Sequence, residues 1–195
     1  MNDIILAIDE EDTELGSFFK DCGADLINFF EQKQITIDKL VDSQINHVYV
    51  KVITENLNSF TFLAYSHGSD AQLVSNGTSY IDEDNADSFE NSLFYTCSCD
   101  TGKLLGSKLV EKGCLSYIGY KDKFIVWDFN RLPFVECANY AIKQIYLGKG
   151  SEEALIMAKS KYNEYIDDYN NDLMGAAMLR SNRDALIHLG EGVKF

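Results

Sequence analysis

Three short runs constrain this chain most: Phe60-Thr61-Phe62-Leu63-Ala64-Tyr65, Leu93-Phe94-Tyr95-Thr96-Cys97 and Leu115-Ser116-Tyr117-Ile118-Gly119. A strand with one wet face alternates polar and apolar residues. These runs scarcely alternate, as expected of strands covered on both faces. Segments with helical spacing of apolar residues lie between them. That order is the signature of an α/β sheet with crossover helices. The reading is a mostly parallel central sheet flanked by helices, in one domain over residues 1–195.

The remaining elements obey the same logic. Residues 4–8 form a first strand candidate and residues 15–30 a helix, weakened by Gly16 and Gly23. Residues 45–52 read as a helix because a strong strand comes next. Residues 74–80, with Asn76-Gly77 between two β-prone pieces, read as a hairpin. The acidic stretch 82–90 reads as a loop with a short helix. Residues 102–112 predict a helix with Leu104, Leu105, Leu109 and Val110 inward, capped by Gly113. Residues 121–132 are irregular and hold the only Trp, and 134–147 are helical. Gly150-Ser151 opens a helix with Glu152 and Glu153 in its first turn, where the dipole favours them. Its expected buried stripe is Leu155, Ala158, Tyr162, Ile166 and Tyr169. Residues 173–179 predict a helix and 184–189 a last strand ending at Gly190.

Charge and cysteine content exclude several functions. Asp and Glu number 31 against 17 Lys and Arg, a net charge of −14. Such a surface repels phosphate, so no nucleic-acid partner is expected, whereas basic peptides are attracted. The N-terminal MNDIILAIDEEDTE lacks a basic n-region and is read as neither signal nor transit peptide. No apolar run reaches the ~20 residues of a membrane span. The five cysteines, Cys22, Cys97, Cys99, Cys114 and Cys137, are odd in number, which argues against a disulfide framework and for a reducing, cytoplasmic setting.

In sheets of this kind ligands gather at the carboxyl ends of the strands. Two reactive side chains fall there: His67 after the strand at 60–65, and Cys99 after the strand at 93–97. If the two strands are neighbours, a thiol and an imidazole share one crevice. A thiolate is a nucleophile, and a nearby imidazole helps form it and can protonate a leaving amine. Gly68 has no side chain to obstruct a substrate, so the N–H groups of Gly68 and Cys99 are candidate oxyanion donors. A helix N-terminus after Gly102 would also favour a thiolate.

Tyr65-Ser66-His67-Gly68 after an apolar strand resembles the His-Gly block of the caspase-like (clan CD) cysteine peptidases, which include caspases, metacaspases, gingipains, clostripain, separase and the CHAT domain. Leu93 through Gly102, with Cys97-Ser98-Cys99-Asp100-Thr101-Gly102 at its end, resembles that clan's strand-then-Cys-x-x-Gly block, most of all in CHAT. The segment through Gly119-Tyr120, and Asn182 through Gly190, are similar to the corresponding segments of CHAT and gingipain-type domains. The His67 to Cys99 gap of 32 residues is shorter than the roughly 50 of caspases, and their Gln-Ala-Cys signature is absent.

The resemblance implies a cysteine endopeptidase that acts on protein or peptide substrates. His67 would be the acid/base, Cys99 the nucleophile, and Gly68 and Cys99 the oxyanion donors. No cofactor and no metal would be needed. It also implies control by an activating protein partner or signal. The clan's pocket for the residue before the scissile bond is shaped by the segment after the strand at 115–119. Here Trp127 would wall it, and Asp128 would pair with a substrate Arg or Lys. The alternatives are an apolar pocket, or Trp127 as core and Asp128 as solvated surface.

Other readings stay beside this one. Cys97, rather than Cys99, is the alternative nucleophile, and both could be core thiols. Cys22, Cys114 and Cys137 are read as core, and His47 and His188 as packing residues. Cys97, Cys99 and His67 lack zinc-knuckle or ribbon spacing. The acidic run 82–87 is a solvated or metal-responsive loop without EF-hand spacing. A catalytically silent binding module on the same fold is the competing function. A flavodoxin-like phosphate site is disfavoured by the acidic Asp9-Glu10-Glu11-Asp12 after the first strand.

Overall fold

The computed structural model describes residues 3–168 and 172–194. In chain order these form β1 (Asp3–Ile8), α1 (Gly16–Gln32), β2 (Asp38–Val41), α2 (His47–Thr54), β3 (Phe60–Tyr65), β4 (His67–Gly68), β5 (Leu73–Ser75), β6 (Thr78–Ile81), β7 (Leu93–Thr96), α3 (Leu105–Glu111), β8 (Ser116–Tyr120), α4 (Leu132–Tyr146), α5 (Ser151–Asp168), α6 (Leu173–Ala185) and β9 (Leu186–Gly190).

Six strands make the main sheet in the order β2-β1-β3-β7-β8-β9. All neighbours are parallel except β8 and β9, which run antiparallel. Alternate residues of each strand enter opposite cores, as the two-residue period requires. Ile4, Leu6, Ile8, Leu63, Tyr65, Tyr95, Ile118 and Tyr120 face α1, α4, α5 and α6. Ile5, Ala7, Phe60, Phe62, Ala64, Phe94 and Tyr117 face α2, α3, the hairpin and a 3-10 turn at Glu83–Phe89. On that second face the rings of Phe62, Phe94 and Tyr117 stack across three strands, with centroids 5.4 and 5.9 Å apart. Offset stacking of this sort adds about 0.5–1.5 kcal/mol per pair beyond burial.

The expected hairpin forms, as β5 and β6. Asn76 and Gly77 both take positive φ, as a tight two-residue turn between right-twisted strands demands. The hairpin joins β4 in a separate antiparallel sheet, with His67 paired to Val74.

Several expectations are corrected. The edge strand β2 carried no sequence signal, because only Leu40 of its four residues is buried. Helix α3 begins at Leu105, not at residue 102, and Leu104 is exposed rather than inward. The N–H groups of Leu104 and Leu105 both donate to the Asp70 carbonyl, which wraps the preceding residues into turns. Helix α6 continues to Ala185, so β9 starts at Leu186. In α5, Ala158 and Tyr162 are buried while Leu155 and Ile166 are half-buried. Tyr169 lies outside the described residues. Among those residues no helix is long and apolar enough to cross a membrane.

His188 on β9 is a packing residue with a titration consequence. Its Nε2 lies 3.0 Å from Ser116 Oγ and 3.2 Å from Ser151 Oγ, and Ser151 Oγ accepts the Val193 N–H. Burial holds the imidazole below its ordinary value of 6.5, against a weaker pull from Glu152. The fold therefore favours the neutral ring. That contribution is complete above pH 6.5 and is lost as pH falls through the lower folded value. Melting temperature is expected to fall more steeply from about pH 6.5 to about pH 5 in the wild type than in His188→Gln. Equal slopes in the two proteins would refute this.

Candidate active site

The two catalytic candidates follow the ends of adjacent strands, His67 after β3 and Cys99 after β7. β3 and β7 pair in parallel with Ala64 opposite Thr96, and both chains leave the sheet within two residues of that pair. A ladder of hydroxyls joins the strand ends. Thr96 Oγ1 donates to Ser98 Oγ at 2.8 Å, and Ser98 Oγ donates to the Ser66 carbonyl at 2.8 Å. All three residues are buried, so each bond is made in a low-dielectric site where leaving it unmade is costly.

Gly68 sits directly against this ladder. A Cβ there would lie 2.8 Å from Ser98 Cβ, 2.8 Å from Thr101 Cγ2 and 2.9 Å from the Cys99 carbonyl. No side chain fits, and the Gly68 backbone is thereby pressed against the Cys99 loop.

His67 is half-exposed, and its ring stands edge-on over Phe19 at 5.9 Å. Its Nε2 lies 3.0 Å from Asp12 Oδ2. The other oxygen of that carboxylate accepts the N–H groups of Leu15 at 2.6 Å and Glu14 at 2.9 Å, just before α1. Burial alone would raise the Asp12 carboxyl, but these two donors and the facing imidazole outweigh it and hold it below the ordinary range. An anchored carboxylate fixes the imidazole's orientation and leaves Nδ1 outside this bond. The sequence reading missed Asp12 in this role. The signal was present, since Asp12 closely follows the carboxyl end of β1, the position that singled out His67 and Cys99.

Asp9, also after β1, is 2% exposed, and among the described residues its Oδ1 has no hydrogen-bond partner. Burial raises its carboxyl, and the charge on Asp12 raises it further.

Cys99 is the one cysteine of the five that is not buried. Its sulfur accepts the Phe124 N–H at 3.3 Å and donates to the Phe124 carbonyl at 3.8 Å. Burial pushes the thiol up. The Phe124 N–H and the N–H of Cys99 itself pull it down, as does Lys123, while Asp100 adds to the rise. The imidazole and the thiol make no hydrogen bond to each other. Cys97 is 2% exposed in the main core, and burial drives its thiol far above the ordinary range. Cys22, Cys114 and Cys137 are buried as expected. Helix α3 begins six residues beyond Cys99, and the N–H groups of Leu104 and Leu105 at its start donate to the Asp70 carbonyl.

The two specificity candidates, Trp127 and Asp128, follow the segment that contacts Cys99 through Phe124. Trp127 is half-buried against the main core, 5.1 Å from the ring of Phe129, and its Nε1 has no hydrogen-bond partner among the described residues. Phe129 itself is 88% exposed. Asp128 is exposed and already accepts from Arg131 Nε at 2.8 Å. Among the described residues no group of three or more His, Cys, Asp or Glu side chains could hold a metal ion.

No family model and no curated protein matches the sequence. Solved structures do resemble it. One is the Saccharomyces cerevisiae separase–securin complex at 2.6 Å, with a TM-score of 0.61 and 12% identity. Another is the same complex at 3.0 Å, with a TM-score of 0.57 and 12% identity. Each likeness covers 100% of this chain and 12% of the other. The chain thus has the caspase-like α/β fold, and the two neighbours described above are separase–securin complexes.

Proposed function

We propose that this chain, which has the caspase-like fold, is a cysteine endopeptidase comprising one catalytic domain over residues 1–195. The observation that carries this reading is a carboxylate-backed imidazole on the strand end beside the one unburied thiol.

Cys99 gives its proton to His67, and its sulfur attacks the carbonyl carbon of the scissile peptide. The N–H groups of Gly68 and Cys99 hold the oxyanion. Asp12 stabilises the imidazolium that forms, and His67 returns the proton to the leaving amine. A thioester to Cys99 remains. Water, deprotonated by His67, then attacks it, releasing the acid product and the thiol. The step needs no metal and no organic cofactor.

A basic residue before the scissile bond would have to compete with Arg131 for Asp128, beside Trp127 and Phe129. The net charge of −14 favours basic substrates. Control by a protein partner is part of the proposal. The separase neighbours are complexes with securin, which supports a partner-binding fold. A cytoplasmic setting is part of the proposal, and the free thiols support it.

One observation favours the silent-module alternative: Cys99 bonds to Phe124 and not to His67. A peptide-library digest read by mass spectrometry, together with an electrophilic peptide probe, separates the two. Cleavage with the probe bonded to Cys99 is expected, and the residue before each cut decides the role of Asp128. A chain that neither cuts nor takes the probe is either the binding module or an enzyme awaiting its partner, and a repeat of the digest in the presence of captured binding proteins separates those two.

A further inference from the structure

The segment that meets the thiol is gripped from its other side. Asn182, wholly buried on α6, accepts the Ile125 N–H on its Oδ1 at 2.9 Å and donates Nδ2 to the Ile125 carbonyl at 2.7 Å. Successive residues of an extended segment present their main-chain groups to opposite sides. Ile125 turns its N–H and carbonyl to Asn182. Phe124 turns its own to Cys99, with the N–H 3.3 Å from the sulfur. The side-chain amide thus acts as a strand partner, 57 residues away in sequence, for the residue next to the one that contacts the nucleophile.

We propose that Asn182 is a positioning residue for Cys99, holding the Phe124 N–H on the sulfur. The inference rests on Cys99 being the nucleophile of the reaction above. Two contacts decide its sign. A bond from N–H to a thiolate is charge-assisted, about twice as strong as a neutral one. The S–H contact to the Phe124 carbonyl, at 3.8 Å, is long and weak. The pair therefore favours the thiolate, opposing the burial that favours the thiol. The Phe124 ring is 6% exposed and packs 4.8 Å from Tyr120 and 5.6 Å from Phe18. That ring keeps the segment over the thiol whatever occupies position 182, so Asn182 governs orientation and not cover. The charged groups acting on the sulfur are Asp100 from its own loop and Lys123 from the segment, with the Cys97 thiol at the strand end.

The test is the pH profile of Cys99 alkylation by iodoacetamide, read by mass. The other four cysteines are buried, and a Cys99→Ala control gives the background. In Asn182→Ala the midpoint is expected to rise by about half to one pH unit, and alkylation at pH 7 to slow about three- to tenfold. An unchanged midpoint in a cooperatively melting variant overturns the proposal. So does a lower midpoint with faster alkylation, which would make the segment a lid. If Asn182→Ala does not fold, Asn182→Ser removes the two-point grip with a smaller void and is read the same way. Alkylation needs no peptide cleavage. A shifted midpoint in a chain that never cuts peptides would refute the peptidase reading alone, and cleavage with an unshifted midpoint would refute this one alone.

Discussion

Cys99→Ala is expected to give a folded chain without peptidase activity, its turnover lower by about 10⁴-fold or more. The substitution removes the atom that forms the thioester, and no neighbouring thiol can replace it. Cys97 is sealed in the core, and its thiol is driven far above the ordinary range. His67→Ala should lose a similar factor, since a nucleophile and its base act as one unit and their losses do not add. Cys97→Ala is the informative control. It should retain most of the activity and cost about 1 kcal/mol of stability, as small core truncations do. Digests of the three variants by the peptide library, with thermal melts alongside, check this. Activity lost in Cys97→Ala but kept in Cys99→Ala would move the nucleophile two residues back.

Asp12→Asn is the second large effect, about 10³- to 10⁴-fold in turnover, with the fold retained. The variant is nearly isosteric, and its amide oxygen can still accept the N–H groups of Leu15 and Glu14. What changes is the group facing the imidazole. A carboxylate accepts a proton from Nε2 and leaves Nδ1 bare to take one from the thiol. An amide NH₂ facing Nε2 must donate instead, which moves the ring proton to Nδ1, where a base is needed. It also removes the negative charge that stabilises the imidazolium. Asp12→Ala would confound this with a lost cap, so the asparagine is the variant to measure. The readout is turnover against KM: turnover falls and KM stays within about threefold, because Asp12 acts through His67 and not on the substrate. Undiminished turnover in Asp12→Asn would show that His67 is oriented by something else.

The parts of this molecule that could be read from sequence are those set by local patterning. Phe60–Tyr65 and Leu93–Thr96 became buried neighbouring strands because nearly every residue in them is apolar, which only a sheet covered on both faces accommodates. Asn76-Gly77 specified its turn through two positive φ angles. The strand ends then located His67 and Cys99. What patterning could not show is equally specific. β2 exists because the edge of β1 offers it hydrogen bonds, not because its own residues demand burial.

Neighbouring residues alone were enough to specify the two cores, the parallel sheet and the two strand ends where reactive side chains cluster, because burial periodicity is a local property of the chain. The groups that tune that chemistry were settled by packing between distant segments. Packing set Asp12 on His67 across 55 residues and Phe124 on Cys99 across 25. It gave Asp128 to Arg131 and left one of two nearby cysteines accessible. Each of these depends on where distant backbone comes to rest, and a hydrogen bond a few tenths of an ångström in tolerance is set by the whole packed core rather than by any stretch of chain.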